Sequence, residues 1–339
     1  MFPLGFNFDA EELADLFATA ELTGAQRIGF LEQLLNECFY PIEDSEYGGK
    51  FIYRMHKILH IFAVYMEREL STVVTADKDF TQVQPSVRLM SLIIAPSTAS
   101  FPRYIDQLKH LKALILLQDS RMLFSDQRCE IKEIDPMLCQ SLKHLQALSL
   151  QATKIRKLPN KIELLWKLHE NICKLVQLHK LDLEGCLYLV TLPTKMSKMK
   201  KLQYLNVLNC YSLTAMPLAM GQLTNLHTLL GYFVPNNGSS AMSELQSLPD
   251  LNRLSLVNLE KVSDTEDARM AKLQEKEKLE TLMLRWNMDA GNASRIDHEV
   301  LETLQPSQCL KTLEIVAYEG YVFPSWMTEP SHILHLWLR

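Results

Sequence analysis

Two histidines, His56 and His60, stand four residues apart in a segment with helical character, so they would share one helix face. This is the spacing of a zinc-binding pair. A metalloprotease of that type needs a glutamate directly after the first histidine as its general base, and this chain has Lys57 there. Because no third ligand lies nearby, we expect no metal site.

The chain shows no recognisable catalytic arrangement. The run Gly48-Gly49-Lys50 lacks the spacing of a phosphate-binding loop and is not followed by Ser or Thr. The sequence also lacks a Gly-x-Ser-x-Gly turn, a paired-cysteine metal motif and a dinucleotide-binding fingerprint. We therefore expect a protein that is not an enzyme, with no catalytic residue and no cofactor of its own.

Composition and charge argue against nucleic acid and membranes as partners. The 339 residues are 47% hydrophobic and 22% charged, and the net charge of −5 offers no broad attraction for phosphate groups. No apolar run approaches the roughly 18 residues of a membrane-spanning helix. The start has no basic region ahead of an apolar core, and the seven cysteines are scattered and odd in number. We expect a cytoplasmic protein with reduced thiols.

An internal repeat, apolar-x-x-Leu-x-apolar, recurs from residue 89 to the C-terminus. In the centre it recurs every 24 or 25 residues, within the roughly 20 to 29 residues of a leucine-rich repeat. The fold class that this predicts is α/β: a leucine-rich-repeat solenoid, horseshoe-shaped, with a parallel sheet on its concave face. The leucines that precede the single x are Leu92, Leu114, Leu148, Leu181, Leu205, Leu229, Leu254, Leu282, Leu313 and Leu336.

Two central units, residues 178–196 and 202–220, align position for position. Alternating apolar residues in each unit predict a short strand whose leucines point inward, followed by a cysteine where the backbone turns. The predicted inward residues are Leu178, Leu181, Leu183, Cys186, Leu189, Leu192 and Met196 in one unit, and Leu202, Leu205, Val207, Cys210, Leu213, Met216 and Met220 in the next.

The positions between the leucines are expected to face solvent on the concave side, where a partner would be bound. Their mixed charge, amides and single tyrosine suit a protein partner better than a nucleic acid. Most such residues are merely solvated, because few interface positions carry much binding energy. The candidates are His179, Lys180, Asp182, Gln203, Tyr204, Asn206, Arg253, Glu280, Lys311 and Glu314, with Glu184, Asn252, Ser255, Thr281 and Thr312 beside them.

The repeats become irregular after residue 230. Gly231 stands where an apolar side chain belongs, and residues 235–240 (PNNGSS) predict a loop. Residues 264–278 begin with acidic residues and end in lysines, which predicts a helix on the outer side of its turn.

Residues 1–80 predict a separate, small and mostly helical domain before the repeats at 81–339. Asp9 is a candidate N-cap of a first helix, residues 25–38 predict a second, and residues 51–70 predict a strand that leads into a third. With a turn around residues 43–50, these elements indicate a winged-helix module. Residues 1–50 contain ten acidic residues against two basic ones, which disfavours DNA binding.

The chain resembles plant nucleotide-binding leucine-rich-repeat disease-resistance proteins of the coiled-coil type. Residues 256–286 look like a family repeat that carries Asp267, Ala268 and a closing Leu-x-Leu-x-Trp at Trp286. Residues 300–327 match the next family repeat, including Phe323-Pro324-Ser325-Trp326-Met327. The stretch FPLGFNFDAEELADLF is similar to the start of the family's winged-helix subdomain, with Phe17 in place of the usual tryptophan.

The resemblance places Met55-His56-Lys57 on the family's Met-His-Asp motif. In that family the histidine helps to hold ADP and the aspartate keeps the protein switched off, so His56 would be a vestigial cofactor-binding position. Lys57 replaces the aspartate. We find no phosphate-binding loop, Mg-binding acidic motif or coiled coil in the sequence, and we expect no ATPase activity.

The resemblance implies a resistance-type protein whose repeat surface binds a pathogen effector, a guarded host protein or a full-length relative. Two alternatives stay open at this point: a degenerate duplicate without activity, or a leucine-rich-repeat adaptor for another complex. The C-terminal stretch HILHLWLR lacks a polar capping turn, from which we expect an exposed last strand or one that a partner covers.

Overall fold

The strands that the structure describes form a long parallel sheet and a small antiparallel sheet. The computed structural model describes residues 7–9, 38–43, 51–57, 59, 71–75, 83–94, 98, 100–118, 130–132, 134, 136–151, 153–154, 172–234, 242–262, 264–287, 295–320, 322–328 and 333–339. In chain order the strands are β1 (Asn7–Asp9), β2 (Phe39–Glu43), β3 (Phe51–Met55), β4 (Ser71–Thr75), β5 (Leu89–Ile94), β6 (Ala113–Gln118), β7 (Ala147–Ser149), β8 (Lys180–Asp182), β9 (Tyr204–Asn206), β10 (Thr228–Phe233), β11 (Arg253–Val257), β12 (Thr281–Arg285), β13 (Thr312–Val316) and β14 (His335–Leu338).

The strands from β4 to β14 form one eleven-stranded sheet in sequence order, and each neighbouring pair is parallel. Short helices return the chain between strands. The α-helices are α1 (Pro136–Ser141), α2 (Ser243–Gln246), α3 (Thr265–Met270), α4 (Arg295–Thr303) and α5 (Ser325–Thr328); 3₁₀-helices span Arg103–Gln107, Ile172–Lys174, Thr194–Lys198, Met220–Gln222, Leu259–Lys261 and Leu273–Glu275. One strand per turn in a continuous parallel sheet confirms the leucine-rich-repeat solenoid.

The predicted leucines lie in ten successive strands, and eight of them form an unbroken row. From Leu114 to Leu313 each pairs with the repeat leucine of the next strand and is fully buried. In β5 the prediction was two residues out, because Met90 and not Leu92 pairs with Leu114. Both residues are buried, so hydrophobicity alone could not distinguish their positions in the register.

The sheet also contains β4, a strand that the repeat pattern did not predict. Its residues Ser71–Thr75 pair with β5 and precede the domain boundary drawn at residue 80. That boundary stays a prediction, but pairing within the repeat sheet begins nine residues before it. The strand escaped notice because its sequence, STVVT, contains no leucine.

Two buried cysteines tie consecutive turns together. The thiol of Cys186 donates to the carbonyl of Leu150 at 3.2 Å, and the thiol of Cys210 donates to that of Leu183 at 3.2 Å. Thr153, one turn before Cys186, lies 3.4 Å from its sulfur. Burial raises the pKa of the Cys210 thiol, which keeps it protonated as a donor. The predicted inward residues of both central units are buried, except that Met216 is only partly buried.

The described part of residues 1–59 is a three-stranded antiparallel sheet in the order β1-β3-β2. β3 confirms the strand predicted from residue 51, and β2 and β3 flank residues 44–50, where a turn was predicted. Asp9 ends β1, and the helix it was predicted to cap lies outside the described residues. Of the other two predicted helices, the described residues Cys38, Lys57 and Leu59 are helical, and the rest lies outside the described residues. Strands β1 and β2 were not predicted, because their sequences lack a clear period-2 alternation.

Gly231 forms a bulge in β10. Pairing with β11 shifts between Leu229 and Tyr232, and Gly231 has a φ of +83°. A Cβ at this position would lie 2.8 Å from the backbone nitrogen of Leu208. The missing apolar side chain is supplied one residue later by Tyr232, which is buried. The loop predicted at 235–240 lies outside the described residues.

The helix predicted at 264–278 is shorter than expected. Asp264 caps α3 by accepting a hydrogen bond from the backbone N–H of Glu266 at 2.9 Å. After Met270 the chain leaves the α-helix, and Lys272, with a φ of +49°, precedes the 3₁₀-helix Leu273–Glu275. None of the helices that the structure describes is long and apolar enough to cross a membrane.

Candidate functional site

The centre of the sheet, at β8 and β9, carries a connected polar network. Asp182 accepts hydrogen bonds from the side chain of Gln151 at 3.0 Å and from the backbone of Glu184 at 3.2 Å. Asn206, its partner in the register, donates to the carboxylate of Glu184 at 3.0 Å and to the hydroxyl of Tyr204 at 3.3 Å. The network therefore crosses three consecutive turns and holds its side chains in place.

Lys180 and Tyr204 are directly opposite each other in the register and lie at the outer surface of this network. The ammonium group of Lys180 is 4.2 Å from the centre of the Tyr204 ring, a cation–π contact. Both side chains are half-buried. The network thus fixes a positive charge and an aromatic ring on the accessible face of the sheet.

Four predicted surface residues are buried, so the expectation that they face solvent is wrong. Asp182 is 3% exposed and Asn206 is 2% exposed, and Ser255 and Glu314 are buried as well. Asp182 and Asn206 are the last residues of β8 and β9, and side-chain hydrogen bonds to Gln151 and Glu184 hold them beneath the surface. Asp182 and Asn206 are structural supports beneath the residues that a partner could touch.

Other predicted residues are at least partly accessible. His179, Gln203 and Arg253 are half-buried, as are Glu184, Thr281 and Thr312, while Asn252 is exposed. Burial lowers the pKa of His179, and the nearby positive charge of Lys201 lowers it further. Both effects favour the neutral form of the His179 ring.

Two charged pairs lie on the C-terminal strands. Lys311 and Glu280 are exposed and form an ion pair at 2.8 Å. The carboxylate of Glu314 lies 3.4 Å from the guanidinium group of Arg339. The guanidinium carbon also lies 5.6 Å from the centre of the Trp337 ring. The structure thus separates the predicted residues into a central network and two pairs further along the sheet.

His56 lies outside this sheet. It follows β3, its backbone N–H donates to Cys38, and its exposed ring is 5.1 Å from the ring of Tyr40. The predicted role of His56 as a vestigial cofactor-binding position stays a prediction. Within the described ranges, no group of three or more His, Cys, Asp or Glu residues could hold a metal ion.

Sequence reasoning missed two contributors to this face. Gln151 follows β7 and contacts Asp182 across 31 positions of sequence. Arg285 ends β12 and reaches Asn209, which follows β9, at 3.2 Å. Neither residue stands between repeat leucines, so the pattern used to select candidates excluded both.

Aromatic residues of the two C-terminal motifs pack together. The ring of Trp286 lies 5.1 Å from that of Tyr318, and its N–H donates to Asp297 at 3.2 Å. The N–H of Trp326 donates to the carbonyl of Leu301 at 3.3 Å. These motif residues therefore stabilise the later turns.

A comparison with known protein families finds a match in the C-terminal repeats of this chain. Residues 242–338 match the family described as R13L1/DRL21 LRRs. RGA1 of Solanum bulbocastanum, described by name as a disease resistance protein, is 36% identical over 118 residues, which cover 35% of this chain and 12% of that protein. RPP13-like protein 1 of Arabidopsis thaliana, similarly described, is 28% identical over 359 residues, covering 98% of this chain and 34% of that protein.

This chain therefore spans about a third or less of the length of these relatives. The comparisons confirm the resemblance to plant disease-resistance proteins and the leucine-rich repeats. The finer assignment, to a nucleotide-binding protein of the coiled-coil type, stays a prediction.

Solved structures with leucine-rich repeats are also similar in part. An internalin from Listeria monocytogenes matches with a TM-score of 0.45 and 15% identity, covering 76% of this chain and 70% of that one. A leucine-rich-repeat protein of Leptospira interrogans matches with a TM-score of 0.35 and 17% identity, covering 80% and 78%.

Proposed function

We propose that this chain is the recognition part of a plant resistance-type protein, whose exposed sheet face binds a pathogen-derived or host protein. The observation that carries the proposal is the network at β8 and β9, in which buried Asp182 and Asn206 hold accessible side chains in one arrangement. A surface that is ordered before binding loses less conformational entropy in the complex. The similarity to named disease-resistance proteins supplies the biological setting.

The chemistry of the face suits a protein partner. Tyr204 offers a large, rigid contact area, while Lys180 and Glu184 provide opposite charges within one small surface. Mixed signs favour a partner with a complementary pattern over a uniform polyanion. We further propose that the chain acts in the cytoplasm by binding alone, without catalysis.

The test is a binding screen of the purified chain against pathogen effectors and full-length relatives. A double variant, Lys180→Ala with Tyr204→Ala, should weaken binding to any partner found by roughly 10-fold or more, because few central residues carry most of the binding energy. The matched control is Glu266→Ala with Arg269→Ala, an exposed ion pair on α3, which packs against α2 and α4.

The proposal requires the control variant to bind like the unchanged protein. Equal losses in both double variants would contradict a binding face on the sheet. Failure of the folded chain to bind any candidate would argue against recognition as its function. Circular dichroism of each variant distinguishes a loss of binding from a loss of fold.

A further inference from the structure

A second group of cations lies at the edge of the sheet formed by the carboxyl ends of its strands. Arg285 is the last residue of β12, and Asn209 stands in the turn after β9. The guanidinium Nη1 of Arg285 donates to the Asn209 side-chain oxygen at 3.2 Å, although 76 positions separate the two residues. This side chain therefore crosses the ends of two intervening strands.

Tyr211 completes the arrangement. Its hydroxyl donates to the same Asn209 oxygen at 3.1 Å, and the centre of its ring lies 6.0 Å from the Arg285 guanidinium carbon. Tyr211 is nevertheless 68% exposed. An exposed tyrosine and a half-buried arginine are thus held side by side by one asparagine.

Arg285 has unused hydrogen-bonding capacity. A guanidinium group has five N–H donors, and only the bond to Asn209 is made within the described part of the chain. No carboxylate in that part lies within 4.0 Å of it. Among the residues that the structure describes, the planar group therefore keeps free donors at the sheet edge, in the geometry that matches a carboxylate.

The adjacent turn repeats this combination of cation and ring. The ammonium group of Lys261 lies 4.8 Å from the ring of Phe233, the last residue of β10. Glu260, next to Lys261, accepts a hydrogen bond from the backbone of Asn287 at 3.0 Å, so its carboxylate is engaged with the following turn. Two cations held over aromatic rings thus lie at the same edge of the sheet.

We infer that Arg285, with Tyr211 and Asn209, binds an Asp or Glu side chain of the protein partner. The inference rests on the proposed function and adds the chemistry of one contact. The guanidinium group would take the partner carboxylate in a two-point hydrogen bond, and the exposed Tyr211 ring would cover the apolar part of the same side chain. Because Asn209 already orients the guanidinium group, little side-chain entropy is lost on binding.

The experiment uses an array of paired 12-residue peptides whose members differ only in Glu or Gln at the centre. All peptides carry C-terminal amides, which removes the terminal carboxylate as an alternative source of charge. The full chain should bind the Glu members more tightly than the Gln members, by about 10-fold for the best pairs, as expected for a charge-assisted two-point contact. Arg285→Gln should abolish this preference.

Two control variants make the result specific. Lys278→Gln removes an exposed cation that already pairs with Asp250, and it should leave the preference intact. Tyr211→Phe keeps the ring and should retain most binding, whereas Tyr211→Ala should weaken it. Thermal melting of each variant confirms that it is folded.

Several results would overturn the inference. These are equal binding of both peptide sets by the unchanged chain, an unaltered preference in Arg285→Gln, and binding of neither set. The proposed function is decided separately, because the screen with Lys180 and Tyr204 variants uses whole proteins and a different part of the sheet.

Discussion

The ammonium group of Lys276 donates a hydrogen bond of 2.7 Å to the carbonyl oxygen of Leu245 in the preceding repeat. It donates a second, of 2.9 Å, to the carbonyl of Leu248, so it closes the C-terminal end of α2. The side chain is 2% exposed, and its own backbone carbonyl accepts a hydrogen bond from Ser307 in the next repeat at 2.9 Å. One lysine therefore connects three turns of the solenoid.

Stability should rise with pH in the alkaline range because of Lys276. Burial lowers its pKa from 10.5 to about 8, so between these values the unfolded chain holds a proton that the folded chain has lost. The stability gained in this way is complete above the unfolded pKa and is lost as the pH falls through about 8. Chemical denaturation at pH 7 and pH 9.5 should show a contribution on the order of 1 kcal/mol.

The variant Lys276→Met separates this effect from other groups that titrate at high pH. It keeps the length of the side chain but removes both hydrogen-bond donors, so the variant should be less stable at each pH. Its slope of stability against pH should also lack the part that Lys276 contributes. The same slope in both proteins would show that Lys276 does not titrate near pH 8 in the folded state.

Cys186→Ala should destabilise the repeats by roughly 1–3 kcal/mol, because it leaves the buried carbonyl of Leu150 without its donor and opens a small cavity. Cys186→Ser keeps a donor and should lose less. Cys309→Ala, at an exposed position, should change stability by less than about 0.5 kcal/mol. Urea unfolding measures all three, and equal stability of the Ala variants at positions 186 and 309 would refute the role of the thiol.

Asn206→Ala should also cost roughly 1–3 kcal/mol, because the backbone N–H of Leu208 and the carboxylate of Glu184 lose a buried partner. Gln203→Ala, in the same turn but half-buried, serves as the control and should be nearly neutral. Thermal unfolding measures both. A neutral effect of Asn206→Ala would show that water replaces these hydrogen bonds without loss.

Gly231→Ala should destabilise the sheet by about 1–3 kcal/mol, because a side chain at this positive φ is strained and its Cβ would collide with the backbone at Leu208. The reverse change at another position with positive φ, Ala219→Gly, should be neutral or slightly stabilising. Differential scanning calorimetry compares the two. A lower melting temperature for Ala219→Gly than for Gly231→Ala would contradict the strain argument.

Part of the fold follows directly from the spacing of leucines. Ten strands could be placed, because each turn must bury a leucine row against its neighbours and the pattern records that requirement. The spacing of leucines predicted neither the register of β5 nor the existence of β4. In β5 two buried apolar residues compete for one position, and in β4 the residue that pairs with Met90 is Thr72.

The candidate site was predictable only in part. The sequence located the accessible Lys180 and Tyr204 by their place between leucines. The same reasoning, however, also predicted that Asp182 and Asn206 face solvent. Exposure depends on which side chains of the adjacent strands lie over each position, and a single repeat contains no information on that point.

The sequence by itself determined the architecture, the direction of the strands and the resemblance to plant disease-resistance proteins, because these depend on short periodic patterns. Only the tertiary structure decided that Arg285 meets Asn209, that Lys276 closes α2, and that polar residues on the sheet face are divided between buried supports and accessible contacts. Such contacts join residues dozens of positions apart, and their geometry depends on how irregular turns such as the bulge at Gly231 stack on one another.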